Sequence, residues 1–242
     1  MAQNIYDRSD FFEGYSRLGR SVEGLAGAAE WPALRSMLPD MRGLRVVDLG
    51  CGFGWFCRWA MEQGAARVLG LDVSERMLDR ARQTTADEAI TYEMADLERV
   101  SLAPAQFDLA YSSLALHYVE DVARLFAAVH GTLVPGGRFV FSTEHPIYMA
   151  PTRPGWSVDA GGRRTWPIDS YLVEGRRTTD WLAQGVVKYH RTIGTTLNAL
   201  VRCGFSIGHV EEFRPTTQQI TDRPELAQEL DRPMFLLVSA LR

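Results

Sequence analysis

The stretch VVDLGCGFGWF, residues 46–56, holds the residue types best suited to ligand chemistry. An apolar run ends in the acid Asp48. Gly50, Gly52 and Gly54 follow at alternate positions, then Trp55 and Phe56. A glycine-rich turn between a strand and a helix lets a ligand approach the backbone closely, and the helix start offers free N–H groups to an anionic group. A dinucleotide fingerprint needs a third small residue, at position 55 counted from Gly50 or at position 57 counted from Gly52. Those positions hold Trp55 and Cys57, so the fingerprint fails in both frames. A nicotinamide-dependent oxidoreductase is therefore only a minor alternative.

Five histidines are the next candidates for proton chemistry. His130 and His209 fall inside regular elements and read as structural or exposed. His117 follows a strand and can touch either of two ligands. His145 directly follows a strand and His190 precedes a helix, so both are expected in the substrate site, one of them as the base. Cys51, Cys57 and Cys203 form no C-x-x-C pair and no zinc spacing. They read as reduced thiols, and no metal site is expected.

Strict alternation of strands and helices must position these residues. Residues 44–49, 67–72, 90–96, 107–113 and 136–144 read as strands. Residues 55–63, 74–83 and 121–133 read as helices between them, with Ser74 as an N-cap. This rhythm predicts a parallel sheet covered on both faces. Residues 8–38 predict one long helix, its core face marked by Val22, Leu25, Ala26 and Ala29. Residues 145–170 break the rhythm and are rich in Pro, Gly and Trp; so long an irregular insert predicts an ordered cover over a site. Two strands follow it, then a helix over 192–205. The last two strands, in SIGHVEEF and MFLLVSALR, are expected to pair antiparallel at the sheet edge.

The 242 residues fit one large domain, with or without an appendage. Lys and Arg number 26 against 30 acids, which leaves no general attraction to nucleic acid. Arg163-Arg164 and Arg176-Arg177 read as a solvated loop or strand edge. The first residues predict no secretory leader, and no apolar run of membrane-spanning length is present, so a cytoplasmic protein is expected. Monomer and homodimer both stay open.

VVDLGCGFG resembles motif I of the class I S-adenosylmethionine-dependent methyltransferases. The resemblance extends over residues 44–144, through GLDVSERML, MADLE, FDLAYSSLALHYVED and LVPGGRFVFS in order. It implies a doubly wound, mostly parallel seven-stranded sheet, a Rossmann-like α/β fold with an antiparallel edge strand. It also implies S-adenosylmethionine as cofactor, with S-adenosylhomocysteine as product. This ligand has no pyrophosphate, so its loop does not need the third glycine and Trp55 can stand there.

In this resemblance Asp72, with Val73 beside it, would accept from the ribose hydroxyls. Met77 would lie on the adenine, and Asp96 and Leu97 would hold its amino edge. Asp48 would support the ammonium. Gly50, Cys51, Gly52 and Gly54 would line the loop, and Ser112, Ser113 and Leu114 would lie near the sulfonium. Tyr15 and Arg20 would reach the methionine carboxylate from a helical lid over residues 1–43. The remaining domain, 44–242, would carry a substrate-covering insert at about 145–190. Its acceptor pocket would draw on His117, Tyr148, Trp156, Tyr171, Trp181, Tyr189 and Arg191. The segment YSSLALHYVED resembles the small-molecule O-, N- and C-methyltransferases, with a tRNA or protein acceptor as the alternative.

Overall fold

The computed structural model describes residues 3–242; residues 1 and 2 of the expected lid lie outside them. The central sheet contains β1 (Arg45–Leu49), β2 (Arg67–Asp72), β3 (Ile90–Met94), β4 (Phe107–Ser113), β5 (Leu133–Glu144), β10 (Ser206–Glu212) and β11 (Phe235–Leu241). Their order is β10-β11-β5-β4-β1-β2-β3. β1 to β5 run parallel, and β11 is antiparallel to both β5 and β10. The reversed strand is thus second from the edge. β2 and β3 lie on one side of β1, β4 and β5 on the other, and this reversal opens a crevice beyond the carboxyl ends of β1 and β4.

Successive residues of a strand face opposite sides, so the apolar pair Val46 and Val47 feeds two cores. Val47, Leu49, Phe126, Phe139 and Leu200 lie in one; Val46, Phe56, Leu78, Tyr111 and Leu237 lie in the other. The helices that cover the sheet include α4 (Trp55–Glu62), α5 (Glu75–Gln83), α6 (Val122–Thr132) and α8 (Ile193–Arg202). Ser74 caps α5 by accepting from Met77 N.

Trp55 does not obstruct the contact between α4 and the sheet. It turns outward, where its ring lies against Gly24 and under the Arg58 guanidinium at 4.7 Å. Phe56 and Cys57 face inward, and Phe56 stacks on Tyr111 with centroids 3.6 Å apart. The small residue at the crossing sits on the strand instead. A Cβ on Gly70 would lie 3.0 Å from the sulfurs of both Cys51 and Cys57.

The single helix expected over 8–38 is broken. α1 (Ser9–Ser16), α2 (Gly19–Val22) and α3 (Trp31–Met37) are separated by turns, and Gly24 adopts φ of +64°. A side chain there would overlap Trp55, so glycine permits both the turn and the ring contact. Val22, expected to face the core, is 64 % exposed.

The insert carries α7 (Pro146–Met149), a two-residue ladder β6 (Ser157–Val158) with β7 (Arg164–Thr165), and a hairpin of β8 (Gly175–Trp181) and β9 (Ala183–His190). This hairpin clamps the N-terminal segment. Gln3 Nε2 donates to Gly185 O, and Val187 N donates to Gln3 Oε1. Ile5, Phe11 and Val186 form a third buried cluster, with Tyr6, Tyr15 and Trp181 against it. α9 (Thr217–Asp222) and a short 3-10 turn lead into β11. Among the described residues no helix is long and apolar enough to cross a membrane.

Phe11 is fully buried between segment and hairpin. Phe11→Ala is expected to cost about 3–5 kcal/mol of stability. Limited proteolysis should then open the N-terminal segment and residues 175–190 together.

Candidate active site

A cavity of about 520 Å³ lies over the carboxyl ends of β1, β2 and β4. That volume lies within the range of small-molecule sites. A recess of about 80 Å³ lies beside it, behind the glycine loop.

Gly50 and Gly52 line both spaces. A Cβ on Gly50 would stand 2.4 Å from Ala115 Cβ, so only glycine lets the loop after β1 pass the loop after β4. Asp72 ends β2 and faces the cavity. Its Oδ2 accepts from Gly52 N at 2.8 Å and its Oδ1 from Ser74 N at 2.9 Å. Each carboxylate oxygen has two acceptor sites, so capacity is left for a vicinal diol. Burial pushes the Asp72 carboxyl up to about 6, partly offset by these two N–H groups. Val73, Met77, Asp96, Leu97, Ser113 and Leu114 also line the cavity. Asp96 Oδ1 accepts from Glu98 N at 3.0 Å.

Asp48, Cys51, Phe53 and Tyr111 line the recess. Cys57 Sγ lies 3.4 Å from Asp48 Oδ2 and donates to it. Burial pushes Asp48 up to about 7, and the thiol contact only partly counters it. Tyr15 and Arg20 line both spaces, from the N-terminal segment. Arg20 Nη2 donates to Glu30 Oε1 at 2.7 Å, a pair whose acid is fully buried. Asp7 ties the segment down by accepting from Ser74 Oγ at 2.6 Å, and Asn4 Nδ2 donates to Val73 O.

Several expected residues lie elsewhere. Gly54 starts α4 and lines neither space. Ser112 is buried and donates to Leu49 O. His145 is fully buried; its Nδ1 accepts from Ile147 N to cap α7, and its Nε2 meets Glu212 Oε1 at 2.8 Å. His190 is fully buried, with Nε2 at 2.8 Å from Tyr171 O. Neither histidine borders the cavity, so neither is placed to serve as the base. Tyr171 packs edge-on against His190, Tyr189 Oη donates to Glu120, and Arg191 donates to Val119 O and Glu120 O. Trp156 lies under the Arg232 guanidinium. His117, Tyr148 and Trp181 do line the cavity.

The residue reading missed Glu30, Glu144, Tyr6 and Tyr118 on the cavity wall, and Lys188 behind it. Lys188 Nζ donates to Glu144 Oε1. His117 Nδ1 accepts from Glu144 N at 3.4 Å, and burial holds its imidazole well below the ordinary range, hence neutral.

Comparison with known proteins gives this architecture relatives. A family model for a methyltransferase domain matches residues 47–141. The chain is 75 % identical to a solved S-adenosylmethionine-dependent methyltransferase from Mesorhizobium loti, over 90 % of this chain and 100 % of that one, with a TM-score of 0.88. It is 42 % identical to a solved candidate enzyme of the same kind from Listeria monocytogenes, over 90 % and 99 %, with a TM-score of 0.84. It is 37 % identical to the malonyl-[acyl-carrier protein] O-methyltransferase of Enterobacter lignolyticus, over 51 % of this chain and 48 % of that protein.

Burial pushes the Asp48 and Asp72 carboxyls up to about 7 and about 6, from an ordinary 3.8. Between the ordinary and the raised values the native state binds more protons than the unfolded chain, so their contribution falls as pH rises from about 4 and is fully lost above about 6 for Asp72 and about 7 for Asp48. The loss is on the order of 4 kcal/mol for Asp48 and 3 kcal/mol for Asp72. Asp48→Asn should therefore raise the melting temperature of the ligand-free protein at pH 8. Its advantage over wild type should shrink steadily toward pH 4 in a scanning-fluorimetry series.

Proposed function

The chain belongs to the class I S-adenosylmethionine-dependent methyltransferases, and we propose that it methylates a small-molecule acceptor bound under the N-terminal segment and the insert. The cofactor is S-adenosylmethionine and the product S-adenosylhomocysteine. The observation that carries the reading is one continuous cavity with two different ends. One end presents Asp72, Asp96 and the glycine loop; the other presents His117, Tyr148 and Trp181.

The residues fit this cofactor. Asp72 would take the two ribose hydroxyls on its spare acceptor sites, and those bonds would draw its raised pKa back down. Val73, Met77 and Leu97 would flank the adenine, with Asp96 toward its amino group. The methionine part would enter the recess, where Asp48 would face the ammonium. Tyr15 and Arg20 would lie toward the carboxylate, with Arg20 held by Glu30. When bound, the cofactor supplies a methyl group already activated by a sulfonium. The protein's own part is to hold the acceptor in line with it and to exclude water. The lid over 1–43 and the insert at 145–190 would do the excluding, since Tyr6, Tyr15, Tyr148 and Trp181 from these segments line the cavity.

A tRNA or protein acceptor would call for a free basic surface beside the cleft. Two of the four paired arginines are engaged within the fold. Arg164 stacks on Trp156 at 4.6 Å, and Arg177 donates to Ala150 O and Val173 O. This favours the small-molecule reading. The Enterobacter lignolyticus relative acts on a malonyl group on a carrier protein, but the match covers only half of either chain. The protein can be incubated with methyl-labelled S-adenosylmethionine and separated tRNA, protein and small-molecule fractions of a bacterial extract. Label is expected in the small-molecule fraction. Label confined to tRNA or protein would overturn the acceptor class.

A further inference from the structure

The chain uses 25 arginines and a single lysine, Lys188. That lysine is 3 % exposed on β9. Its ammonium contacts Glu144 Oε1 and lies 5.1 Å from the Trp181 ring and 5.9 Å from the Tyr118 ring. Glu144 lines the cavity and Lys188 does not, so the lysine stands behind the carboxylate. Glu144 Oε2 is buried and has no hydrogen-bond partner among the described residues. A buried acceptor of this kind ordinarily finds a donor. Register puts it just beyond the carboxyl end of β4: Ser113 pairs with Ser142, and Glu144 lies two residues further along the same face of β5.

His117 is the imidazole beside this carboxylate, and its geometry gives it a different task. Its Nδ1 accepts from Glu144 N, so the proton of the neutral ring sits on Nε2. That nitrogen lies 3.9 Å from Glu144 Oε1, too far for a hydrogen bond. It can donate to a ligand but cannot take a proton from one.

We propose that Glu144 is the general base of the transfer, that Lys188 is its positioning residue, and that the acceptor is a flat hydroxylated ring. The inference rests on the methyltransferase reading above. The ring follows from the walls: Tyr118 and Trp181 flank the Lys188 ammonium that contacts Glu144, and Tyr148 lines the same cavity, so aromatic faces and edges stand beside this carboxylate. An anionic acceptor, such as a free carboxylic acid, would meet that carboxylate with like charge. In the reaction the acceptor O–H bond breaks and its proton passes to Glu144. The oxygen lone pair forms the new O–CH3 bond while the C–S bond breaks and leaves its electron pair on sulfur. One sulfonium charge and one carboxylate charge disappear together, and Glu144 later returns the proton to water.

The test uses the full chain with S-adenosylmethionine and a panel of phenol, catechol, hydroquinone and, as anionic control, malonate. Release of S-adenosylhomocysteine is the assay, and calorimetry with the same product runs alongside. Hydroxybenzenes are expected to be turned over and malonate not. Glu144→Gln should lower kcat at least 100-fold while product binding stays within threefold. The groups facing Glu144 are Lys188, His117, Tyr118 and Tyr148. Lys188→Met removes the stabilising cation, so the acid limb of the pH–kcat profile should move to higher pH. If that variant does not fold, Glu144→Gln with Lys188→Met removes both charges and should fold with the low rate of Glu144→Gln. Turnover by Glu144→Gln within threefold of wild type overturns the base. Absence of turnover across the hydroxybenzenes, with product binding intact, overturns the acceptor class and leaves the methyltransferase reading standing. Failure of the wild type to bind the product would instead strike that reading.

Discussion

A buried carboxylate, with no cation against it among the described residues, holds the glycine-loop side of the cavity together. Asp72 draws the glycine loop toward β2 through Gly52 N and starts the approach to α5 through Ser74 N. Those two donors reduce the cost of burying the charge without removing it, which is why its pKa stays raised. A ligand that offers hydroxyls to the remaining acceptor sites relieves the deficit. This side of the cavity is therefore built to be more stable when such a ligand fills it. Asp48, in the recess behind the loop, repeats the device with only a thiol as partner.

The rest of the structure closes over this point. The start of the N-terminal segment is fixed on two sides, through Asp7 and Asn4 to the start of α5 and through Gln3 to the insert hairpin. The same hairpin brings Trp181 to the cavity and Lys188 to Glu144. Cover, acceptor wall and buried ion pair are thus one packed unit. A segment that moves to admit ligand would disturb all three together.

Much of this was legible in the sequence because period-2 runs and strict alternation leave few topologies. The five parallel strands, the cap at Ser74 and the final antiparallel pair follow from it. Asp72, Met77, Asp96 and Leu97, the residues singled out by the resemblance, all line the cavity. The 8–38 helix failed because helical spacing of apolar residues does not register a glycine that must turn under a tryptophan ring. His145 failed by one residue: neighbours on a strand face opposite ways, so Glu144 enters the cavity while His145 turns to cap α7. Glu144 looked like one acid among 30, and only Lys188, as a solitary lysine, carried a compositional signal.

Calorimetric titration of wild type and Asp72→Ala with S-adenosylmethionine and S-adenosylhomocysteine tests the central claim most directly. The account predicts micromolar binding of both ligands to wild type and a weakening of about 100-fold or more in the variant, which loses both ligand hydrogen bonds and the anchor of the loop. Equal binding by a well-folded Asp72→Ala protein, or no binding by folded wild type, would contradict it.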